Sequence, residues 1–245
     1  MNDGPVRVTI VGSGDAFGSG GRFQTCLALG DPPHTLVDCG ATSLTALRQQ
    51  GIDPNGIAAV VLTHLHGDHF GGLPFLVLDG QFRRRDRDLT VLGPPGTAER
   101  LAAAMEALFP GSSTVRRRFA VHVREHADRR VVGAGGLSVT PFEVRHAAGA
   151  PAYGVRVSDA DRTLAYSGDT EWTDALLDLA AGADLLLAEG YSPRPVRWHL
   201  DLDSLAAHRH RLDCGRLLLT HLSPAALAAD LAGWEVAEDG LVVQL

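Results

Sequence analysis

The stretch GIAAVVLT, Gly56 to Thr63, is apolar at most positions and runs directly into His64-Leu65-His66-Gly67-Asp68-His69. A continuous apolar run of this length reads as a strand covered on both faces, because a strand with one wet face alternates apolar and polar residues. Such a strand needs a packed layer on each side of its sheet. It also delivers His64, His66, Asp68 and His69 to the edge of that sheet. His64 and His66 are two apart, so an extended chain points them the same way. Asp68 and His69 follow Gly67, where the chain can turn. Neutral imidazole and carboxylate suit zinc, and also manganese or iron.

The rest of the chain supplies more strands and helices in a simple order. Strand patterns run over Val6–Gly14, Thr25–Gly30 and His34–Gly40, followed by a helical period over Ser43–Gly51 with Gly51 just past its end. A second set holds strands at 137–144, 152–159 and 162–168, a helix at 172–182, a strand at 183–190, a helix at 203–215 and a strand at 216–223. Asp203 or Ser204 is the expected N-cap of the helix at 203–215. Between the sets lie a strand from Leu89 and an amphipathic helix at 96–109, which reads as core-facing, with a dimer face as the alternative. Strands first, then alternating helices and strands, twice over, predict two sheets packed face to face with helices outside. The glycines between Gly12 and Gly21 lack the lysine of a phosphate loop and open no helix, so they read as a loop approaching a site.

The 245 residues are read as a single domain over 1–245, long enough to bury a core without staples. Cys26, Cys39 and Cys214 form no disulfide pattern and fit a reducing compartment. There is no leader pattern at the start and no run long enough to span a membrane, so the expected location is cytoplasmic, with no membrane partner. A net charge of −7 argues against a stable nucleic-acid complex. The Arg83–Arg87 and Arg116–Arg118 runs read as solvated surface, with capture of an anionic substrate as the alternative. Oligomeric state stays open, a homodimer being the default.

Other polar residues also stand at the ends of apolar strands: His146 after SVTPFEVR, Asp169 after RTLAYSG and His221 after RLLLT. Together with the His64–His69 run, they lay out a site along a sheet edge. The set of THLHGDH, VDCG at Val37–Gly40, His146, SGDT at Ser167–Thr170 and THLSP at Thr220–Pro224 resembles the metallo-β-lactamase superfamily. The resemblance implies an α/β fold, the four-layer αββα sandwich, and two divalent metal ions per chain. Zinc is the first choice, with Mn2+ or Fe2+ as alternatives. It implies His64, His66 and His146 on one metal, Asp68, His69 and His221 on the other, and Asp169 between them.

Within the superfamily the SGDT and LLLTHLSP segments are similar to the ribonuclease Z and phosphodiesterase branch. That resemblance implies hydrolysis by metal-activated water. Asp68 would orient or deprotonate the water, and His199 would stabilise charge or protonate the leaving oxygen. A surface histidine at a helix start is the alternative for His199. Glu189 would orient His199, or else be a solvated acid at a strand end. His208 and His210 read as surface. The tRNA-gripping arm of that branch has no room here, since His146 and Asp169 stand 23 positions apart with two strands between them. The expected substrate is therefore a small anionic phosphodiester of the cyclic nucleotide or cyclic phosphate type. The alternatives are a ribonuclease Z-like endonuclease and a carboxyl or thiol ester hydrolase. The segments FLVLDGQFRRR and YSPRPVRW read as loops that shape the pocket.

Overall fold

The computed structural model describes residues 7–245. Val6, the expected first residue of the first strand, lies outside them. The strands are β1 (Arg7–Gly12), β2 (Cys26–Gly30), β3 (Pro33–Val37), β4 (Ala59–Val61), β5 (Leu89–Gly93), β6 (Val121–Glu125), β7 (Val132–Ala134), β8 (Leu137–Val144), β9 (Ala152–Ser158), β10 (Thr163–Tyr166), β11 (Ala183–Glu189), β12 (Cys214–Thr220), β13 (Glu235–Val236) and β14 (Val242–Gln244). The helices are α1 (Ser43–Gln49), α2 (Gly67–Phe70), α3 (Leu73–Phe82), α4 (Thr97–Leu108), α5 (Ala175–Ala180), α6 (Leu202–His208) and α7 (Pro224–Leu227). One sheet has the order β14-β1-β2-β3-β4-β5-β6 and the other β13-β12-β11-β10-β9-β8-β7.

Alternation along each strand sorts the side chains into three cores. In β2, Leu27 faces the second sheet while Cys26 and Ala28 face the helices. In β4, Ala59 and Val61 point inward and Val60 outward. The middle core joins Val8, Ile10, Leu29 and Val61 of the first sheet to Val139, Val155, Leu164, Leu187 and Leu218 of the second. An outer core packs Leu36, Val60 and Leu62 under Leu47, Leu76, Leu101 and Met105 of α1, α3 and α4. The other packs Leu186, Ala188 and Leu219 under Leu176, Leu179 and Leu205 of α5 and α6. Three apolar seams between four layers make the expected αββα sandwich. Each fully buried Leu or Val contributes about 1.5–3 kcal/mol.

Several local expectations change. Most of Phe75–Arg85, read as a pocket loop, lies in α3, Leu73–Phe82. It is apolar on nearly every side, so no helical stripe marks it. The N-cap of α6 is Asp201, whose carboxylate accepts from Ser204 N at 2.8 Å, ahead of the expected Asp203 or Ser204. Arg85, within a run read as solvated, is buried, and its guanidinium donates to the carbonyls of Pro54, Asn55, Ile57, Arg87 and Asp88. Arg83, Arg84, Arg87, Arg116 and Arg118 are not buried. His208 is half-buried and stacks on Trp172, while His210 is exposed. All three cysteines are free thiols. Among the described residues no helix is long and apolar enough to cross a membrane.

Candidate metal centre and active site

Strands β3, β4 and β5 run parallel, as do β10, β11 and β12, and β8 shares the direction of β10 through antiparallel β9. Their carboxyl ends open on one edge of the sandwich. His64 follows β4, His146 follows β8, Asp169 follows β10, Glu189 ends β11 and His221 follows β12. His66 precedes α2, and α2 carries Asp68 and His69. Gly40 permits this turn to come close: a Cβ there would stand 2.0 Å from the Asp68 carbonyl oxygen.

The side chains gather in overlapping groups. One is His64, His66 and His146; the next is Asp68, His69, Asp169 and His221; a third joins Asp169 and His221 to Glu189 and His199. Asp169 spans the first two. Its Oδ2 is 3.9 Å from both His64 Nε2 and His146 Nε2, and its Oδ1 is 3.2 Å from His69 Nε2 and 3.7 Å from His221 Nε2. Asp68 Oδ2 is 3.2 Å from both His69 Nε2 and His221 Nε2.

The outer nitrogens of three of these rings are already engaged, while His221 Nδ1 faces Glu189 Oε1 at 3.4 Å. His69 Nδ1 bonds Asp38 Oδ2 at 2.7 Å, and Asp38 Oδ1 also accepts from Thr63 N at 2.8 Å. His146 Nδ1 donates to the Trp198 carbonyl at 2.7 Å, and His64 Nδ1 meets Thr63 Oγ1 at 3.1 Å. Such bonds fix which nitrogen faces inward. Asp38, Thr63 and the Trp198 carbonyl were not singled out in the sequence. VDCG pointed to Asp38 only as part of a motif, and a backbone carbonyl leaves no sequence signal.

The donor set fits divalent cations. His64 Nε2, His69 Nε2 and Asp169 Oδ1 are buried without hydrogen-bond partners, and each belongs to one of the converging groups. Buried polar atoms are normally satisfied, so a set of orphans converging on common points calls for a shared partner. The titration behaviour of His64 and His66 agrees. Burial and neighbouring His69 push His64 well below the usual imidazole range. Burial and neighbouring His146 do the same, more mildly, to His66. A neutral imidazole is the form that binds metal. Burial opposes charge on Asp169, yet His221 and His69 hold it well below the carboxylate range. Burial likewise opposes charge on His221, while Asp169, Asp68 and Glu189 hold it up at about 10. Buried carboxylates here draw positive charge toward themselves.

Glu189 is wholly buried, unlike a solvated strand-end acid. Its Oε1 meets His199 Nδ1 at 2.5 Å, and its Oε2 accepts from Thr170 N at 2.9 Å and Leu200 N at 3.0 Å. The Tyr191 ring stacks on His199 at 4.3 Å. The glycine-rich loop borders the same edge, with Gly14 bridged to Leu222 beside His221, and carries exposed Phe17. The interval between His146 and Asp169 is taken up by the paired strands β9 and β10. A cleft of about 1110 Å³ opens at the other end of the strands, among Arg7, His34 and Arg87, and holds none of these residues.

Comparison with known proteins gives a consistent result. The family profile described as "Beta-lactamase superfamily domain" matches residues 34–222. A protein named Ribonuclease Z from Mycolicibacterium paratuberculosis is 30% identical over 252 residues, covering 94% of this chain and 90% of its own. The metallo-beta-lactamase fold protein YhfI from Bacillus subtilis superposes with a TM-score of 0.79 at 22% identity, over 99% of this chain and 100% of its own. The short form of human tRNase Z gives 0.77 at 24% identity, over 97% and 98%. The two solved structures speak for the fold.

Proposed function

The chain is a hydrolase that belongs to the beta-lactamase superfamily, related to ribonuclease Z, and from that premise we propose that it cleaves small phosphodiesters with two divalent cations held at the strand ends. The observation that carries this reading is Asp169, which turns one oxygen toward His64 and His146 and the other toward His69 and His221. His64, His66 and His146 would hold one cation. Asp68, His69 and His221 would hold the second, and Asp169 would serve both. Imidazole and carboxylate ligands favour zinc, with manganese or iron as alternatives. Bound there, the cations would supply a water acidic enough to attack at neutral pH and positive charge for the phosphoryl oxygens.

The remaining steps belong to side chains of this chain. Asp68 presents a carboxylate at the second group, where it orients the attacking water or accepts its proton. His199 has Nδ1 occupied by Glu189, which leaves Nε2 to face the substrate and give a proton to the leaving oxygen. Glu189 is a positioning residue, because it acts through His199.

The test is hydrolysis of bis-p-nitrophenyl phosphate, with metal content measured on the same sample. Two metals per chain, with turnover lost in Asp169→Ala and strongly reduced in His199→Ala, is the expected result. Two metals with cleavage of p-nitrophenyl acetate but no diester would move the protein to ester hydrolysis. No metal and no turnover would remove the reading altogether.

A ribonuclease Z-like activity is the second reading, favoured by the 30% identity to a protein of that name along most of both chains. The short β9–β10 interval and the net charge of −7 weigh against gripping a tRNA. A precursor tRNA with a 3′ trailer separates the two: faster cleavage of the trailer than of small diesters would favour this second reading.

A further inference from the structure

We propose that Arg197 and Trp198 form a platform for the flat ring of a nucleobase or aryl group carried by the scissile phosphodiester, an inference that rests on the phosphodiesterase reading of the metal site. Trp198 has φ +73°, in the left-handed region that bulky residues avoid. Two backbone bonds hold it there. Its N–H donates to Glu171 Oε1 at 2.8 Å, and its carbonyl accepts from His146 Nδ1 at 2.7 Å. Both bonds need only the main chain, and a glycine would make them without strain. The indole is therefore an addition to this turn rather than a requirement of it.

Packing does not account for the ring either. Trp198 belongs to none of the three cores and remains 36% exposed. The Arg197 guanidinium lies 4.5 Å from its ring centroid, and Arg197 has no carboxylate partner among the described residues. An exposed indole bearing an unpaired guanidinium offers a flat π surface and a positive charge together. That combination stacks a planar ring without reading its edge, and draws in an attached phosphate. The position suits the task. Trp198 adjoins His199 in the chain and is tied by its carbonyl to His146, and Arg197 lines a cleft of about 370 Å³ whose walls include Trp172 and His199. A strained non-glycine residue beside a reacting centre points to a functional demand on its side chain.

The experiment compares two esters with the same leaving group, thymidine 5′-(p-nitrophenyl phosphate) and methyl p-nitrophenyl phosphate, on the zinc-loaded protein. Trp198→Gly keeps the backbone and removes the ring. Its KM for the thymidine ester should rise about tenfold with kcat within twofold, while the methyl ester changes less than twofold, and Trp198→Phe should restore most of the difference. Equal changes for both esters, or none, would overturn the platform. So would loss of bound zinc in Trp198→Gly, since the ring would then be a support for His146. Quenching of tryptophan fluorescence by thymidine 5′-phosphate gives a readout apart from turnover, expected in the wild type and absent in Trp198→Gly. If the wild type cleaves neither ester but keeps that quench, the phosphodiesterase reading fails and the platform stands. If it cleaves both with no quench and no discrimination, the platform fails and the reading stands.

Discussion

Buried Glu189 and partly exposed His199 form a pair, with Oε1 2.5 Å from Nδ1, and the second carboxylate oxygen is saturated by the N–H groups of Thr170 and Leu200. A carboxylate held this way aims the imidazole and fixes its proton. Glu189→Gln keeps the shape but puts an amide where two oxygens accepted. We expect kcat on bis-p-nitrophenyl phosphate to fall about 10–100-fold. The double variant Glu189→Gln/His199→Ala should be no slower than His199→Ala alone, because the two act as a unit. Full additivity of the two losses would show that they act separately.

Asp38 plays the matching part for His69. It is wholly buried, sits at φ +59°, and holds His69 Nδ1 at 2.7 Å. Asparagine tolerates that backbone conformation, so Asp38→Asn removes the charge with little strain. On the two-cation reading, affinity for the ion that His69 would hold should drop about 10–100-fold. Mass spectrometry after dialysis against a weak chelator should then find one metal where the wild type keeps two. Two retained metals in the variant would count against the role.

Much of this site could be read from the chain because its ligand types are rare and crowded. Three histidines and an aspartate between His64 and His69 are hard to place together except around a cation, and the remaining candidates each end an apolar run. What stayed hidden depends on contacts the chain makes elsewhere. The helix α3 is covered on most sides, so its sequence carries no stripe. The acceptor for His146 is the backbone of Trp198, which any residue could supply. In DLDS the N-cap falls to Asp201 because Leu202 is buried and Asp203 is exposed, a choice set by packing.

Arg85 shows the same limit inside a run of like residues. It is 4% exposed, with its guanidinium over the Phe119 ring at 5.3 Å and its N–H groups spent on backbone carbonyls of the Pro54–Ile57 and Arg87–Asp88 segments. A lysine cannot reach that many acceptors from one nitrogen. Arg85→Lys should cost about 2–4 kcal/mol in urea unfolding. Arg84→Lys and Arg87→Lys, both at exposed positions, should stay within about 0.5 kcal/mol. Turnover per folded molecule should be unchanged in all three, since this cage sits at the strand ends away from the metal site. Equal stability of Arg85→Lys and the wild type would mean the buried guanidinium contributes little.

His126 makes stability depend on pH apart from the metal site. It is 5% exposed, its Nε2 donates to the Leu62 carbonyl at 2.9 Å, and its Nδ1 is buried without a partner. Burial, partly offset by the Leu62 bond, lowers its pKa to about 4. An unfolded histidine titrates near 6.5. Between those values the unfolded chain binds a proton that the folded chain refuses, so stability falls as pH drops through this window. Above about pH 6.5 both forms are neutral and the effect vanishes. The loss attributable to this ring should reach roughly 2–3 kcal/mol by about pH 4.5. His126→Gln keeps a donor for Leu62 but cannot titrate, so its stability relative to the wild type should improve by that amount between pH 7 and 4.5. Urea unfolding of both proteins across this range isolates the term, because the metal ligands titrate identically in each. A stability difference that stays constant with pH would place the acid sensitivity elsewhere.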